Sequence, residues 1–291
     1  MNRLASDTYQ RELNKLCMEN LPYEKFQNKS ILITGATGLI GSYLTDFFLY
    51  LNREKQIGLK VFILCRNVEK AERQFSIYRE EKNFTILSGD LTQSIEFQEE
   101  FDYVIHGAGN NHPVAFHTEP VETMKAALLG TMNLLDQCVQ QKQRKRTEVS
   151  QFLFLSTGEV YGEVDEIGPS GCREEETGKI DPMNPRSCYP EAKRAAETLC
   201  VSYGQEYGLD TRIARLSYIY GGNFQKESSK ADVQFLKKAL AGEDIVMKSS
   251  GLQFRSYCYL QDAVKGILYN FLLYTFPSPR DYVLLCFLVL T

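Results

Sequence analysis

The sequence predicts an α/β protein built on a doubly wound parallel sheet, and three observations support this prediction. Short apolar runs alternate with longer segments of helical periodicity along most of the chain, which is the pattern of βαβ units. A glycine-rich turn lies between the first apolar run and the first such helix. Glycines and polar residues follow the other apolar runs, at the edge of the sheet where ligands of this fold class bind.

The chain is predicted to begin with an extension, residues 1–28, that precedes the first strand. It is polar and of mixed charge, with one short helix expected over 7–20 and Pro22 as its breaker. It lacks the apolar region of a secretory signal. We expect this extension to pack on the core or on another subunit.

Six strands and four main helices are predicted after the extension. Residues 29–219 are expected to form the dinucleotide-binding domain with the catalytic residues, and 220–291 a partial substrate-binding domain with an atypical tail. The strands are expected at 31–34, 59–65, 84–90, 101–106, 151–156 and 210–216, with helices after residue 39 and over 68–81, 119–141 and 189–207.

The glycine turn has the spacing of a dinucleotide-binding loop. Gly35 permits a tight turn, Gly38 allows a pyrophosphate to approach the backbone, and Gly41 allows the helix to pack closely on the strand. The N–H groups at the start of the helix would hold the phosphates. A glycine turn without a ligand is the alternative interpretation. Cofactor contacts are expected from Gly35, Thr37, Gly38, Leu39, Ile40 and Gly41.

Further cofactor contacts are expected where later strands end. The second strand ends at Cys65 and Arg66 with no acidic residue. An arginine at this position favours NADP or stacking on adenine, whereas an acidic residue would favour NAD; a solvent-exposed arginine is the third possibility. The other expected contacts are Asp90, Leu91, Gly107 and Ala108.

The composition excludes several classes of protein. The net charge of −4 over 291 residues gives no overall basic balance for nucleic acid. Eight cysteines without a CxxC pair indicate reduced thiols of a cytoplasmic protein. No apolar run is long enough to cross a bilayer. The histidines lack partners at metal-ligand spacing, so no metal site is expected.

Tyr189 and Lys193 are the most informative pair for chemistry. They are four residues apart in a predicted helix, and therefore share one face. A lysine ammonium close to a phenol is expected to lower the phenol pKa. Such a tyrosine can accept a proton from a sugar hydroxyl as hydride leaves for a nicotinamide. An unrelated tyrosine and lysine would show the same spacing by chance, but this pair follows the glycine turn and a strand ending at Ser156 and Thr157.

Four motifs together resemble the extended short-chain dehydrogenase/reductase family of nucleotide-sugar epimerases, dehydratases and decarboxylases. The resemblance implies a Rossmann-type sheet, an NAD cofactor, a UDP-sugar substrate and a homodimer formed through the helices 119–141 and 189–207. It also implies that Thr157, Tyr189 and Lys193 are catalytic. The motifs are Thr34-Gly-Ala-Thr-Gly-Leu-Ile-Gly41, Leu155-Ser-Thr-Gly-Glu-Val-Tyr-Gly162, Tyr189-Pro-Glu-Ala-Lys193 and Phe254-Arg-Ser-Tyr-Cys-Tyr-Leu-Gln-Asp262.

Within the family, the motifs are most similar to those of the UDP-glucuronate decarboxylases. By this resemblance Glu159 is a carboxylate beside the reacting sugar, and Arg255 holds the nucleotide diphosphate. Dehydratases of the family have an acid where this chain has Gly158, so the resemblance disfavours elimination of water. A 4-epimerase, a dehydratase and a non-catalytic NAD(P)-binding protein remain the alternatives.

The chain departs from the family pattern around the expected substrate pocket. Tyr218 stands where the family has a substrate-binding asparagine, and Ala127 replaces a second asparagine. Tyr218 is therefore expected to contact substrate in this chain. After Asn270 the sequence leaves the family pattern, so we expect an incomplete substrate domain.

Overall fold

The computed structural model describes residues 3–145, 149–164, 172–222, 228, 230–247, 256–273 and 283–286. Within them, a seven-stranded parallel sheet has the order β3-β2-β1-β4-β5-β6-β9. This confirms the predicted doubly wound parallel sheet. The strands of this sheet are β1 (Ser30–Thr34), β2 (Lys60–Cys65), β3 (Phe84–Ser88), β4 (Tyr103–His106), β5 (Gln151–Thr157), β6 (Thr211–Leu216) and β9 (Val283–Cys286).

A second, two-stranded parallel sheet lies beyond β6. It pairs β7 (Tyr218–Tyr220) with β8 (Tyr257–Tyr259). The helices of the described chain are α1 (Asp7–Cys17), α2 (Leu39–Lys55), α3 (Val68–Gln74), α4 (Pro113–Thr118), α5 (Pro120–Lys145), α6 (Cys188–Tyr207), α7 (Ala231–Ala241) and α8 (Leu260–Leu273).

The central strands bury both of their faces. Ile31 and Ile33 of β1 belong to one apolar cluster, and Leu32 between them belongs to the other. Successive side chains of a strand point to opposite faces, so a continuous apolar run is what a sheet covered on both sides requires. The uninterrupted apolar sequence of β1 is thus explained by its central position.

The structure differs from the predicted helices at α3 and α4. The charged helix expected over 68–81 ends at Gln74, and a separate 3₁₀ turn covers Ser76–Tyr78. The buried rings of Phe75 and Tyr78 pack near Phe84 of β3, and this tertiary packing interrupts the helical periodicity. The short helix α4 begins with Pro113 at its first turn and was not predicted, because six residues are too few for a periodicity.

The last described strand was also not predicted. β9 pairs in parallel with β6, with Ala214 opposite Leu284 and Leu216 opposite Cys286. The apolar sequence after residue 281 was expected to leave the family pattern, yet four of its residues extend the main sheet.

The N-terminal segment is packed on the core by a buried carboxylate, Asp46 of α2. Arg3 contacts it through a side-chain ion pair, and the hydroxyls of Tyr9 and Tyr78 donate to it at 2.7 and 3.0 Å. A buried carboxylate needs such donors because its desolvation is otherwise costly. Of the two positions expected for this segment, the structure shows packing on the chain's own core.

No helix in the described ranges combines the length and the apolar character needed to cross a bilayer.

Candidate functional site

The glycine turn after β1 brings three backbone segments into direct contact. Gly35 has φ +71°, and a Cβ there would lie 2.5 Å from the carbonyl oxygen of Gly107. A Cβ on Gly41 would lie 2.4 Å from the carbonyl oxygen of Gly35. Both positions therefore exclude any side chain. Gly38 precedes α2 and gives the first N–H groups of the helix no side-chain acceptor.

A buried histidine connects this turn to the end of β4. The Thr131 hydroxyl donates to the carbonyl of Ala127 at 2.6 Å, so its oxygen accepts from Nε2–H of His106 at 3.1 Å. Nδ1 of His106 then accepts from the Thr34 hydroxyl at 2.7 Å, and the Thr34 oxygen accepts from the Ala108 N–H at 3.1 Å. Only a neutral imidazole satisfies all of these bonds. Burial, together with the charge of Lys193, lowers the pKa of His106 to about 3.

The structure brings the three predicted catalytic residues together near the carboxyl end of β5. Thr157 is the last residue of β5 and forms a hydrogen bond with Tyr189 at the start of α6. One turn further along α6, the Lys193 ammonium donates to the carbonyl of Leu155 at 2.8 Å and lies 4.3 Å from the centre of the Phe154 ring. The two side chains of α6 therefore share the face that covers the end of β5, as their spacing predicts.

The expected lowering of the Tyr189 pKa is wrong for the free protein. Burial, and after it the negative charge of Glu159, raises the pKa of Tyr189 to about 12, although Thr157 and Arg186 act in the opposite direction. Lys193 does not offset this effect, because its ammonium is bound to the Leu155 carbonyl and burial lowers its own pKa to about 8. Tyr189 therefore holds its proton at neutral pH in the free protein.

A stack of three groups orients Tyr189. The Tyr189 ring lies parallel to the buried ring of Phe116, with centroids 4.5 Å apart. The Arg186 guanidinium lies over the same Phe116 ring at 4.6 Å and donates to Glu159 at 2.8 Å. Glu159 is therefore an ion-pair partner of Arg186 at the rim of the site, within the electrostatic range of Tyr189.

The sequence-based prediction missed Phe116 and Arg186. Phe116 lies on α4, and no local pattern links it to Tyr189, which is far away in the chain. Arg186 could have been found, because it is three residues before Tyr189 and its cation is the nearest in sequence to the proposed base.

The remaining predicted cofactor residues lie along the same sheet edge. Arg66 follows β2 and is exposed. Thr92 donates twice to the Asp90 carboxylate at 2.9 Å, and these bonds, with a contribution from Arg66, lower the pKa of Asp90. Leu91 is buried, and its carbonyl accepts from Asn133 of α5 at 2.7 Å.

A cleft of about 870 Å³ separates the glycine turn from the second sheet. Gly38 and Leu39 line one wall, and Tyr220, Tyr257 and Tyr259 belong to the other. The cleft continues past Asn111 and His112 to Lys230 and Asp232 at the start of α7.

Tyr218, the predicted substrate contact, lies at the edge of this region. Its hydroxyl donates to Asp232 at 3.1 Å, and its ring packs edge-on against Tyr257 at 5.0 Å. The Lys230 ammonium lies 4.9 Å from the centre of the Tyr218 ring, and burial lowers the pKa of Lys230. Arg255, the other predicted substrate residue, lies outside the described residues.

Comparison with known proteins agrees with this geometry. The model of the NAD dependent epimerase/dehydratase family matches residues 31–284. The chain belongs to this family. Family membership confirms the resemblance inferred from the four motifs.

The curated relatives of this epimerase/dehydratase family member include decarboxylases. UDP-glucuronic acid decarboxylase 1 of Danio rerio is 31% identical over 262 residues, which cover 89% of this chain and 58% of the relative. UDP-glucuronic acid decarboxylase 6 of Arabidopsis thaliana is 32% identical, with 83% of this chain and 65% of the relative covered. The chain thus spans about three fifths of the length of these relatives.

Solved structures of the same fold include epimerases. UDP-glucuronic acid 4-epimerase of Bacillus cereus, with UDP-glucuronic acid and NAD, superimposes with a TM-score of 0.67 at 20% identity, covering 89% of this chain and 77% of that one. UDP-glucose 4-epimerase of Thermotoga maritima gives a TM-score of 0.65 at 24% identity, covering 81% and 71% of the two chains. These similarities confirm the Rossmann-type fold.

Proposed function

We propose that this protein is an NAD-dependent enzyme that decarboxylates UDP-glucuronate. The observation that carries the proposal is the cluster of Thr157, Tyr189 and Lys193 at the end of β5, beside a glycine turn that admits no side chain. The curated relatives with this name, at 31% and 32% identity, support the choice of substrate.

The residues around the glycine turn fit a dinucleotide. The excluded Cβ positions at Gly35 and Gly41 leave bare backbone at the N-terminus of α2, where the helix dipole and free N–H groups favour a pyrophosphate. We propose contacts from Gly35, Thr37, Gly38, Leu39, Ile40, Gly41, Arg66, Asp90, Leu91, Gly107 and Ala108. When bound, NAD would supply a hydride acceptor and a positive charge that favours the Tyr189 phenolate.

The protein's own residues handle the proton at C4 of the sugar. Tyr189 would accept the proton of the 4-hydroxyl while Thr157 donates to the same oxygen. Lys193 would stabilise the phenolate after its ammonium leaves the Leu155 carbonyl. A 4-keto sugar acid loses CO₂ readily, because the ketone accepts the electron pair of the broken carbon–carbon bond as an enolate.

Arg186 and Glu159 are proposed to act on the sugar acid. The Arg186 guanidinium is the cation at the rim of the site, and among the described residues it forms an ion pair with the carboxylate of Glu159. A substrate carboxylate could exchange with Glu159 for this cation. Glu159 would then be available to handle the proton that returns to C5.

Incubation of the protein with UDP-glucuronate and NAD, with products measured by mass spectrometry, tests the proposal. We expect a UDP-pentose, with loss of CO₂. An unchanged mass with inverted C4 would instead indicate a 4-epimerase, and loss of water a dehydratase. Bound NAD without turnover of any UDP-sugar would indicate a non-catalytic protein, and each of these three outcomes contradicts the proposal.

Tyr189→Phe is the matched test of the site. We expect kcat to fall at least about 100-fold, the smaller end of what a positioned acid–base group contributes, while NAD still binds. Tyr207→Phe, at the exposed end of the same helix, should leave kcat unchanged. Equal rates for the two variants would contradict the role of Tyr189.

Three further properties are proposed from the family resemblance. We propose NAD over NADP, although Arg66 at the end of β2 is exposed and available to a 2′-phosphate. The family resemblance supports a homodimer through α5 and α6, and the free cysteines among the described residues support a cytoplasmic location. Titration with both dinucleotides and light scattering of the purified protein test the first two.

A further inference from the structure

Four tyrosines share one face of the second sheet. In its register Tyr218 pairs with Tyr257 and Tyr220 with Tyr259. Side chains two residues apart lie on the same face of a strand, so these four rings point one way, whereas Ile219 between them is buried. Tyr220 packs against Tyr257 and Tyr259 with centroids 6.0 and 5.4 Å apart. We call these four tyrosines the tyrosine face. Their rings are aromatic surfaces on which a flat base can stack.

The tyrosine face is attached to the N-terminal helix through Tyr259. The Tyr259 hydroxyl donates to the Glu12 carboxylate of α1. The side chain of Gln261, two residues later, donates to the Glu12 backbone carbonyl at 2.9 Å. One residue of α1 thus binds both sides of the junction between β8 and α8.

The surroundings of Glu12 make this attachment stiff. Burial raises the pKa of Tyr259, and the hydrogen bond to Glu12 raises it further, so Tyr259 remains a donor at neutral pH. The Tyr43 ring of α2 is fully buried beside these two groups, and burial and the Glu12 charge raise its pKa. A charge-assisted hydrogen bond in such a setting is stronger than one in water.

We propose that Glu12 is a positioning residue, which holds Tyr259 and through it the tyrosine face in the orientation that binds the uridine diphosphate of the substrate. The inference rests on the proposed function, because it takes UDP as the occupant of the cleft. It assigns to the N-terminal helix a part in substrate affinity, acting from outside the cleft.

A second glutamate of the same segment gives a matched control. Glu19 also attaches the N-terminal segment to α8, through an ion pair with Lys265 at 2.7 Å and a bond from Tyr269 at 3.4 Å. Neither partner belongs to the wall of the cleft. Loss of Glu19 should therefore weaken the attachment of the segment without moving the tyrosine face.

The experiment measures UDP binding by calorimetry and the steady-state kinetics of UDP-glucuronate turnover in four full-length variants. We expect Glu12→Ala to raise the Kd for UDP and the KM about three- to tenfold, with kcat unchanged. The variant loses the charge-assisted hydrogen bond between Glu12 and Tyr259, and part of the free energy of that bond contributes to UDP binding. Glu12→Gln retains an acceptor for Tyr259 and should restore most of the affinity. Tyr259→Phe should resemble Glu12→Ala, and Glu19→Ala should bind UDP like the wild type.

The double variant Glu12→Ala with Tyr259→Phe decides whether Glu12 acts through Tyr259. If it does, the double variant binds UDP no more weakly than either single variant. Additive losses, or equal losses in Glu12→Ala and Glu19→Ala, would overturn the inference. If the wild type binds UDP and the Glu12→Ala variant binds it equally tightly, the inference is wrong but the proposed function stands. A wild-type protein that binds no UDP would overturn the proposed function as well.

Discussion

At the scale of single residues, His106 is a buried base whose role is to remain neutral. Its two ring nitrogens join β1, β4 and α5 through Thr34 and Thr131. A proton on Nδ1 would remove the acceptor of the Thr34 hydroxyl, which also receives the Ala108 N–H. The glycine turn and the end of β4 are therefore held together by a network that acid should break.

We predict that His106 makes the free energy of unfolding depend on pH below 6.5. The pKa of His106 is lowered from 6.5 to about 3 on folding, so the unfolded chain binds more protons between these values. Stability is then lost as pH falls through this window, by at most about 1.4 kcal/mol per pH unit from this one group. His106→Asn should flatten the dependence in urea unfolding measured from pH 6.5 to 4. His117→Asn, at an exposed histidine, should leave the pH dependence unchanged. Parallel curves for the wild type and both variants would contradict the prediction.

Gly35 and Gly242 test what the glycine turn requires. Both have φ close to +70°, but a Cβ at Gly35 meets backbone, whereas a Cβ at Gly242 meets nothing within 4 Å among the described residues. We predict that Gly242→Ala costs about 1–2 kcal/mol of unfolding free energy, the cost of the left-handed conformation. Gly35→Ala should cost more and should also abolish dinucleotide binding.

Thermal unfolding and NAD titration of both variants check this prediction. The comparison separates the cost of the backbone conformation from the cost of the collision with Gly107. Equal losses of stability in the two variants, with NAD binding intact in both, would be incompatible with the close approach described for the turn.

At the scale of elements, the N-terminal segment depends on Asp46. Its carboxylate is fully buried in α2 and binds Arg3 and Tyr9 of the N-terminal segment and Tyr78 from the turn after α3. Packing alone would not fix the segment in one register, because helices slide along apolar surfaces more readily than past a buried polar network.

We predict that Asp46→Asn lowers the free energy of unfolding by about 3 kcal/mol, the lower end of the cost of breaking a buried pair, since it leaves the half-buried Arg3 guanidinium without its counter-charge. Glu69→Gln removes an exposed ion pair to Arg73 at 3.7 Å and should change stability by less than about 1 kcal/mol. Urea unfolding measures both. A small, equal effect of the two substitutions would show that Asp46 does not hold the segment.

Sequence periodicity predicted the main elements better than the small ones. The long helices α5 and α6 and the six apolar strands each carry a repeated pattern, so they could be predicted. The elements β7, β8 and α4 contain three to six residues, and a pattern of that length is not distinctive. Their form depends on tertiary partners that the local sequence does not specify.

In the candidate site, too, the local features could be predicted from the sequence and the features that depend on tertiary packing could not. Tyr189 and Lys193 could be predicted because their spacing of four is local. The stack of Tyr189, Phe116 and Arg186 depends on the approach of α4 to α6, and the direction of the Tyr189 pKa depends on how deeply the phenol is buried. Burial is a property of the folded chain, so spacing alone suggested the wrong direction.

At the scale of the whole molecule, the main sheet has a seventh strand, β9, and the sequence of that segment predicted no strand. β9 lies beside β6 at the edge of the described sheet. In an edge strand successive N–H groups point alternately toward the neighbour and away from it. Proline should therefore be tolerated at one of two adjacent positions of β9 and not at the other.

We predict that Leu284→Pro and Leu285→Pro differ in unfolding free energy by at least about 1 kcal/mol, the contribution of one ladder hydrogen bond. Both positions pair with β6 through their Cα register, so both variants lose a similar amount of chain flexibility. Thermal unfolding of the two variants measures the difference. Two variants as stable as the wild type would mean that β9 contributes no pairing in solution.

The hydrogen bond between Glu12 and Tyr259 joins residues 247 positions apart. During translation at about 5–20 residues per second, the N-terminal helix emerges roughly 10–50 s before its partner leaves the ribosome. Throughout that interval α1 lacks its contacts with α8, and the surface that α8 later occupies stays open. The tyrosine face can take its final orientation only after Tyr259 has emerged. Until then this part of the nascent chain is accessible to chaperones and to premature association.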